Sequence, residues 1–478
     1  MFSKFFNKIQ MPLKSEQLQV ISNNNIASYG FKEEVNIVKK AKKGFEETYR
    51  TNLRRQRDKI LYTGGFRRMQ DKTQVISATI SGDHRTRLTH TLEVEQIAVS
   101  IANSLKLNSD LVSAISLGHD VGHTPFGHAA ERKLNELLKH NGGFHHPVQS
   151  VRYIWEKYGK KINKEIYEGI LLHDSDMYKI KKEDVKQQLK YLKFSNDGIE
   201  DFESWIEIDK WINNFPSTLE AQVVIWADKI AYITHDLEDF LRSSSYINLK
   251  KNNKEVDKKL FAILGKILDR DIKSIEEFEL RDLIRTLISD LINTSYDNIA
   301  PLLGKKFKNP LELTVNRSFK FENNSEKKKY LNSLIINFST KSKNHIRDNY
   351  YELRSFLDEY YICSPEVQKS DAKAQVIVEH LFNMFKNNYK LMPLNLRNDI
   401  DDIFLQESDK NNNKLKTNKK SVDNKEGIVD AEKSARNRIN QVNDIIARKV
   451  ACYIATMSDT YAENMYRDLI GSDIEFRI

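Results

Sequence analysis

Cysteine is nearly missing from this chain: Cys363 and Cys452 are the only two among 478 residues. Two cysteines build neither a disulfide framework nor a cysteine-type zinc site. The count suits a reducing compartment, and a cytoplasmic location is expected. Glycine (17) and proline (8) are also scarce, which argues against a turn-rich β architecture and for long helices. No apolar run approaches the roughly 20 residues of a membrane span, so no membrane partner is expected. The opening MFSKFFNKIQMPLK lacks the apolar core of a secretory signal. Basic residues outnumber acidic ones for a net charge of +9. A solvated lysine-rich surface explains most such excesses; the functional alternative is affinity for a polyanion such as a nucleotide or nucleic acid.

The length allows one large or two ordinary domains. An N-terminal helical arm with an Arg-rich segment spans 1–75, with Gly64-Gly65 as a break. Arg54, Arg55, Arg57, Arg67 and Arg68 read as solvated or subunit-contact cations. The string VISATIS (75–81) alternates apolar and polar residues like a hairpin arm. From Thr91, residues Val94, Ile97, Ala98, Ile101, Ala102 and Leu105 recur at helical spacing. Ser109 is the expected N-cap of the next helix, with Leu111, Val112, Ile115 and Leu117 on its buried side. A third helix carries Leu134, Leu137 and Leu138 and stops at Gly142-Gly143. Pro147 suits a first helical turn. Ser217-Thr218-Leu219-Glu220 reads as a capping box opening a long helix. The core so outlined covers 76–245. A C-terminal helical region follows at 246–478, with a mobile loop expected at 406–435.

Chemistry concentrates in His119-Asp120-Val121-Gly122-His123-Thr124-Pro125-Phe126-Gly127-His128-Ala129-Ala130-Glu131. Imidazoles and carboxylates are ligands for a divalent transition metal. His90 lies on the preceding helix. Asp228 sits mid-helix among apolar residues in VVIWADKIAYITHDLEDF, where a bare carboxylate is costly and needs a partner. His90, His119, Asp120 and Asp228 thus supply two imidazoles and two carboxylates and leave positions open, as a catalytic site requires.

The order H…HD…D is that of HD-domain metal-dependent phosphohydrolases. FRRMQDKTQV, DHRTRLTHTLEV, GHDVGHTPFGHAAE, GGFHHPVQSVR, LEAQVVIWADKIAYITHDLED and YIATMSDTYA together resemble the deoxyguanosinetriphosphate triphosphohydrolase family. The resemblance covers motifs between about 45 and 245 and one C-terminal segment. It implies an all-α fold: an HD helical core, further C-terminal helices and at most a short β-hairpin. It also implies a homo-oligomer, with a hexamer favoured. The reaction it implies cleaves dGTP, or other dNTPs, to the deoxynucleoside and inorganic triphosphate. His90, His119, Asp120 and Asp228 match the metal ligands. The implied metal is Mn²⁺ or Mg²⁺, and the ligand set also admits Fe, Co, Ni or Zn. His128 and Glu131 match the catalytic pair, and His123 and His146 match further active-site histidines. Arg87 and Lys229 match triphosphate contacts, Tyr232 and Asp236 sugar contacts, and Gln70 a position near the 3′-hydroxyl. A nucleotide effector and single-stranded DNA are further partners the resemblance admits.

The chain departs from the family pattern at Pro147, where Asn is common, and at Cys452 and Thr456, where Asp and Gly are common. Asp459 and Tyr461 are divided between core packing and pocket lining. His140, His145, His173 and His235 read as packed or exposed histidines. Two other functions share the motif: a different HD-type phosphohydrolase, acting on a phosphomonoester or a signalling nucleotide, and a nucleotide- or nucleic-acid-binding regulator.

Overall fold

The computed structural model describes residues 14–33, 49–74, 85–174, 180–190, 192, 202, 205–212, 214–252, 254–302, 331–340, 345–402 and 425–470. Among these residues the fold is all-α, and the extended pairing present is a single antiparallel bridge between Thr73 and Thr86. The hairpin arm expected at 75–81 lies outside the described residues.

The helix Arg87–Ser104 starts in a reciprocal cap: Thr86 Oγ1 accepts from the Thr89 amide at 3.3 Å, and Thr89 Oγ1 accepts from the Thr86 amide at 3.1 Å. Its buried seam runs through Val94, Ile97, Ala98, Ile101 and Ala102 and continues towards the N-terminus through Thr91, His90 and Arg87. The apolar spacing that docks the helix therefore also carries Arg87 and His90 inward.

The next helix, Ser109–Gly118, is capped by Asn108, whose side-chain oxygen accepts from the Leu111 amide at 3.1 Å. Ser109, expected as the cap, is the first helical residue instead; the Asn side chain one position earlier has the extended backbone a cap needs. Residues 111–118 are all buried, so this is a central helix rather than a surface one.

The helix Leu219–Arg242 has 24 residues and so runs about 36 Å. Thr218 caps it by accepting from the Ala221 amide. The expected Ser217–Glu220 box does not form. The buried Glu220 carboxylate instead accepts from the amides of Phe31 and Asn108, at 2.8 and 2.9 Å. It thereby ties an N-terminal segment and the 109–118 helix to this one. The helix packs against 87–104, 109–118, Lys164–Leu172, Leu280–Ile299 and Ile346–Leu357, which is why it is buried nearly all round, polar residues included. Trp226 at its centre is fully buried and donates its indole N–H to the Ile336 carbonyl at 2.7 Å.

Among the described residues two hydrophobic cores result. The larger joins residues from Leu53 to Val367. The smaller joins Ala130, Leu134, Leu138 and Phe144 to the helix Pro365–Asn387 and to Ile446–Met457. Val121 and Val148 belong to the first, Ala130 and Phe144 to the second. The histidine-rich stretch therefore crosses from one core to the other. The helix Lys425–Ala455 begins inside the stretch expected to be a loop, which corrects the 406–435 boundary; 403–424 lies outside the described residues.

Candidate active site and metal centre

His119 directly follows the last turn of the 109–118 helix. Its Nδ1 lies 2.6 Å from the Ser116 carbonyl, a pure acceptor, so Nδ1 carries the proton and Nε2 offers a lone pair. That Nε2 is buried and has no hydrogen-bond partner. It lies 3.4 Å from Asp120 Oδ2 and 3.9 Å from Asp228 Oδ1, and Asp228 Oδ1 lies 3.0 Å from His90 Nε2. Donor atoms of His90, His119 and Asp120 all fall within 4.8 Å of one another. An orphaned imidazole nitrogen among a second imidazole and two carboxylates fits a divalent metal. Burial disfavours ionised carboxylates, but the Arg87 guanidinium holds Asp120 well below the usual range, and the His90 hydrogen bond does the same for Asp228.

Gly122 makes the turn after Asp120 fit. A Cβ there would lie 2.2 Å from the Ser150 amide nitrogen, so no other residue allows the helix His146–Tyr158 to press so close. Ser150 Oγ clamps the contact by accepting from the Gly122 amide at 3.0 Å and donating to the His119 carbonyl at 2.8 Å.

A second network adjoins the first. Glu131 Oε2 lies 2.9 Å from His128 Nδ1, while Oε1 accepts from the His146 amide at 2.7 Å and lies 2.9 Å from His146 Nδ1. His146 Nε2 faces Asp120 Oδ1 at 3.6 Å and His173 Nε2 at 3.2 Å. Asp120, His146, Glu131 and His128 thus form one continuous polar chain. Burial pushes the His146 imidazole down, but Glu131 and Asp120 outweigh it and raise it to about 9. Burial lowers His173 to about 4 and, with Arg87 and His146 adding to it, holds His123 neutral. Pro147 sits in the first turn of its helix and leaves this entry regular.

These groups open on a cavity of 1130 Å³ lined by Arg87, His90, Asp120, His128, Glu131, His146, Asp228, Lys229 and Tyr232. Arg87 lies 2.5 Å from Asp120. Four expected residues do not line the cavity: His119, buried within the metal-type cluster, and Gln70, Asp236 and His123. Gln70 is exposed on the short turn Met69–Asp71 and does not line the cavity. Gln74, four residues on, does, with Nε2 3.1 Å from His90 Nδ1. Asp236 is fully buried and does not line the cavity; it binds Arg354 at 2.9 Å. His123 is fully buried, stacked on the His146 ring with centroids 4.5 Å apart.

Sequence reading missed Arg354, Tyr350, Gln74 and His173, all of which line the cavity. Gln74 lies within the FRRMQDKTQV string, which by itself does not tell it from Gln70 as the glutamine that lines the cavity. Arg354 had an indirect signal: a buried mid-helix Asp236 requires a partner. Nothing in the sequence says which of 76 basic residues provides it.

The HD domain model matches residues 87–233, and the phosphohydrolase-associated domain model matches 340–414. Arg354 and Tyr350 fall in the second match. A deoxyguanosinetriphosphate triphosphohydrolase-like protein of Rickettsia bellii is 34% identical over 364 residues, covering 74% of this chain and 84% of its own length. One from Caldanaerobacter subterraneus subsp. tengcongensis is 35% identical over 348 residues, covering 72% of this chain and 75% of its own. The matched stretches contain both the HD cluster and the distant residues that complete its cavity, and the chain belongs to the deoxyguanosinetriphosphate triphosphohydrolase-like family of HD-domain phosphohydrolases.

Proposed function

We propose that the protein hydrolyses deoxynucleoside triphosphates, dGTP foremost, to the deoxynucleoside and inorganic triphosphate. The observation that carries this reading is the chain Asp120–His146–Glu131–His128, which joins a metal-type cluster to a proton-transfer pair on one cavity wall. His90, His119, Asp120 and Asp228 would hold the divalent ion, Mn²⁺ or Mg²⁺, which when bound supplies Lewis-acid polarisation of a phosphoryl oxygen and acidification of water.

The chain's own residues do the rest. Water attacks the α-phosphorus; the new P–O bond forms as the bond to the 5′-oxygen breaks, and that oxygen takes a proton. Glu131 fixes His128 through Nδ1, which makes Nε2 the atom that exchanges protons at the reacting centre. Arg87 and Lys229 line the same cavity and offset the growing negative charge on the triphosphate. Also lining the cavity, the Arg354 guanidinium lies 4.5 Å from the Tyr232 ring centroid and is anchored by Asp236. A stacked pair so anchored is a rigid surface for a sugar, and close packing at the 2′ position favours deoxyribose over ribose. The +9 charge suits a polyanionic substrate.

The test is a chromatographic product assay. Purified protein is incubated with each dNTP and with GTP, with Mn²⁺, with Mg²⁺ and with a chelator. Deoxynucleoside plus intact triphosphate, lost with chelator, is the expected result. Diphosphate or monophosphate products would move the protein to another HD-type reaction. No turnover of any nucleotide, alone or with a second nucleotide or single-stranded DNA added, would leave the regulator reading.

A further inference from the structure

We infer that Asp459, at the corner between the two C-terminal helices, is a positioning residue that sets the spacing between the two walls of the cavity. The inference rests on the reading of His128 as the proton-transfer group. Asp459 is the first residue of the helix Asp459–Ile470. Its carboxylate leaves its own helix and reaches two other segments. Oδ2 accepts from the Thr73 amide at 2.9 Å and from the Thr73 hydroxyl, and Oδ1 accepts from the Phe126 amide at 2.8 Å.

Each recipient adjoins a site residue. Thr73 precedes Gln74, which touches His90. Phe126 begins the helix that carries His128 and Glu131, and it does so at φ +57°, a left-handed conformation that a bulky side chain holds only under external constraint. The next residue, Gly127, is also left-handed (φ +59°), and a Cβ there would lie 3.0 Å from the Gln74 carbonyl. The two segments are therefore pressed together where one carboxylate holds both. Buried Lys72 makes a parallel tie, donating to the His123 carbonyl and, at 2.8 Å, to the Ala455 carbonyl. The 455–459 corner thus grips the His90 side and the His128 side of the cavity, and Asp459 is not among the residues that line that cavity.

Three variants are compared with the full chain: Asp459→Ala, Asp459→Asn and Thr73→Val. Turnover is scaled to the folded fraction. Amide exchange is followed over 124–128 and, as a remote control, over 280–299. With both anchors gone, Asp459→Ala should lower kcat at least ~30-fold with KM within about 3-fold, because an ångström-scale shift of a proton-transfer group is that costly. Asp459→Asn keeps one acceptor oxygen and should fall between it and the parent. Thr73→Val loses only the hydroxyl and should change kcat by no more than about 2-fold. Exchange should quicken at 124–128 and not at 280–299. Normal kcat and normal 124–128 exchange in Asp459→Ala would overturn the inference, whatever its Tm. So would a rise in KM at unchanged kcat. Because exchange is read without substrate, it judges the positioning even if the parent chain turns over no dNTP, a result that would instead count against the proposed reaction.

Discussion

Residues 87–242 and residues 254–470 meet at one cavity, yet they declare themselves very differently. The first region names its chemistry in short strings: each candidate metal ligand lies there, His90 and Asp228 on helices and His119-Asp120 at the turn that ends the 109–118 helix, all carried inward by the packing of those helices. The second carries no motif for most of its length and still supplies Arg354 and Tyr350 to the cavity wall and Asp459 to the junction behind it. The difference follows from what each residue must do. A metal centre needs several donors of fixed type within a few ångströms, so it leaves a dense local pattern. A single cation or carboxylate that completes a wall can come from any helix that passes by.

The sharpest way to break this contrast is to remove a donor from the motif-rich half. Asp228→Ala should abolish metal-dependent turnover, by at least ~10³-fold, and lower the bound-metal content measured by elemental analysis. Full activity would sink the metal assignment and with it the functional priority of the HD region. His128→Ala is the companion case, with an expected loss of ~10²–10³-fold in kcat. It should keep metal and nucleotide, because His128 lies beyond the four donors and is 44% exposed at the cavity. Loss of nucleotide binding in equilibrium titration would instead make His128 a binding residue.

The fold class was legible, and so was a His/Asp cluster that the fold draws together, because each contributing segment shows its own helical pattern. The seam of Val94, Ile97, Ala98 and Ile101 gives the helix, and His90 lies on that seam one turn earlier. Caps were less legible. Asn108, not Ser109, closes the 109–118 helix, and Glu220 caps a neighbour's backbone rather than its own helix. Which donor meets which amide is settled by packing between helices, and the local string does not record it. Gln70 and Gln74 are four residues apart, and only the fold shows that the short turn at 69–71 leaves the first exposed while the second lines the cavity. Asp236 was read as a sugar contact because it shares a face with Asp228 and Tyr232. It is fully buried and reaches the cavity only through Arg354.

Arg354 tests the motif-poor half directly. Truncating it alone would strand the buried Asp236 carboxylate, a destabilising change in its own right. The informative variant is therefore Arg354→Gln paired with Asp236→Asn, which keeps polar contact without charge. It should lower kcat/KM for the preferred dNTP ~10–100-fold, the range for losing charge-assisted contacts worth about 1.5–3 kcal/mol. Most of the change should fall in KM, since Arg354 is remote from the proton-transfer pair in function. Discrimination against GTP should weaken with it. Parent-like kinetics would mean that Arg354 does not touch the sugar and that its pairing with Asp236 serves packing alone.

The smallest effect concerns a buried acid within the motif-rich half that belongs to none of its motifs. Glu168, on the helix Lys164–Leu172, is 3% exposed. It accepts from the Ser217 amide at 3.1 Å and pairs with the Ser217 hydroxyl. Burial raises its carboxyl to about 7 against the lowering by Ser217; Glu165 adds to the rise and Lys164 opposes it. The ordinary value is 4.5, so the folded chain holds an extra proton between about 4.5 and 7. Stability therefore falls as pH climbs through that window, and the full cost is present above it. Glu168→Gln keeps an acceptor for Ser217 and cannot ionise. Denaturant unfolding should find the variant more stable than the parent by on the order of 2 kcal/mol at pH 8, with the two equal within about 0.5 kcal/mol at pH 5. Turnover should match the parent's at both. Parallel stability curves would show that Glu168 is ionised at no cost. A loss of turnover would show that a residue outside every motif in this half shares in the chemistry, and the contrast between the two regions would then be one of degree.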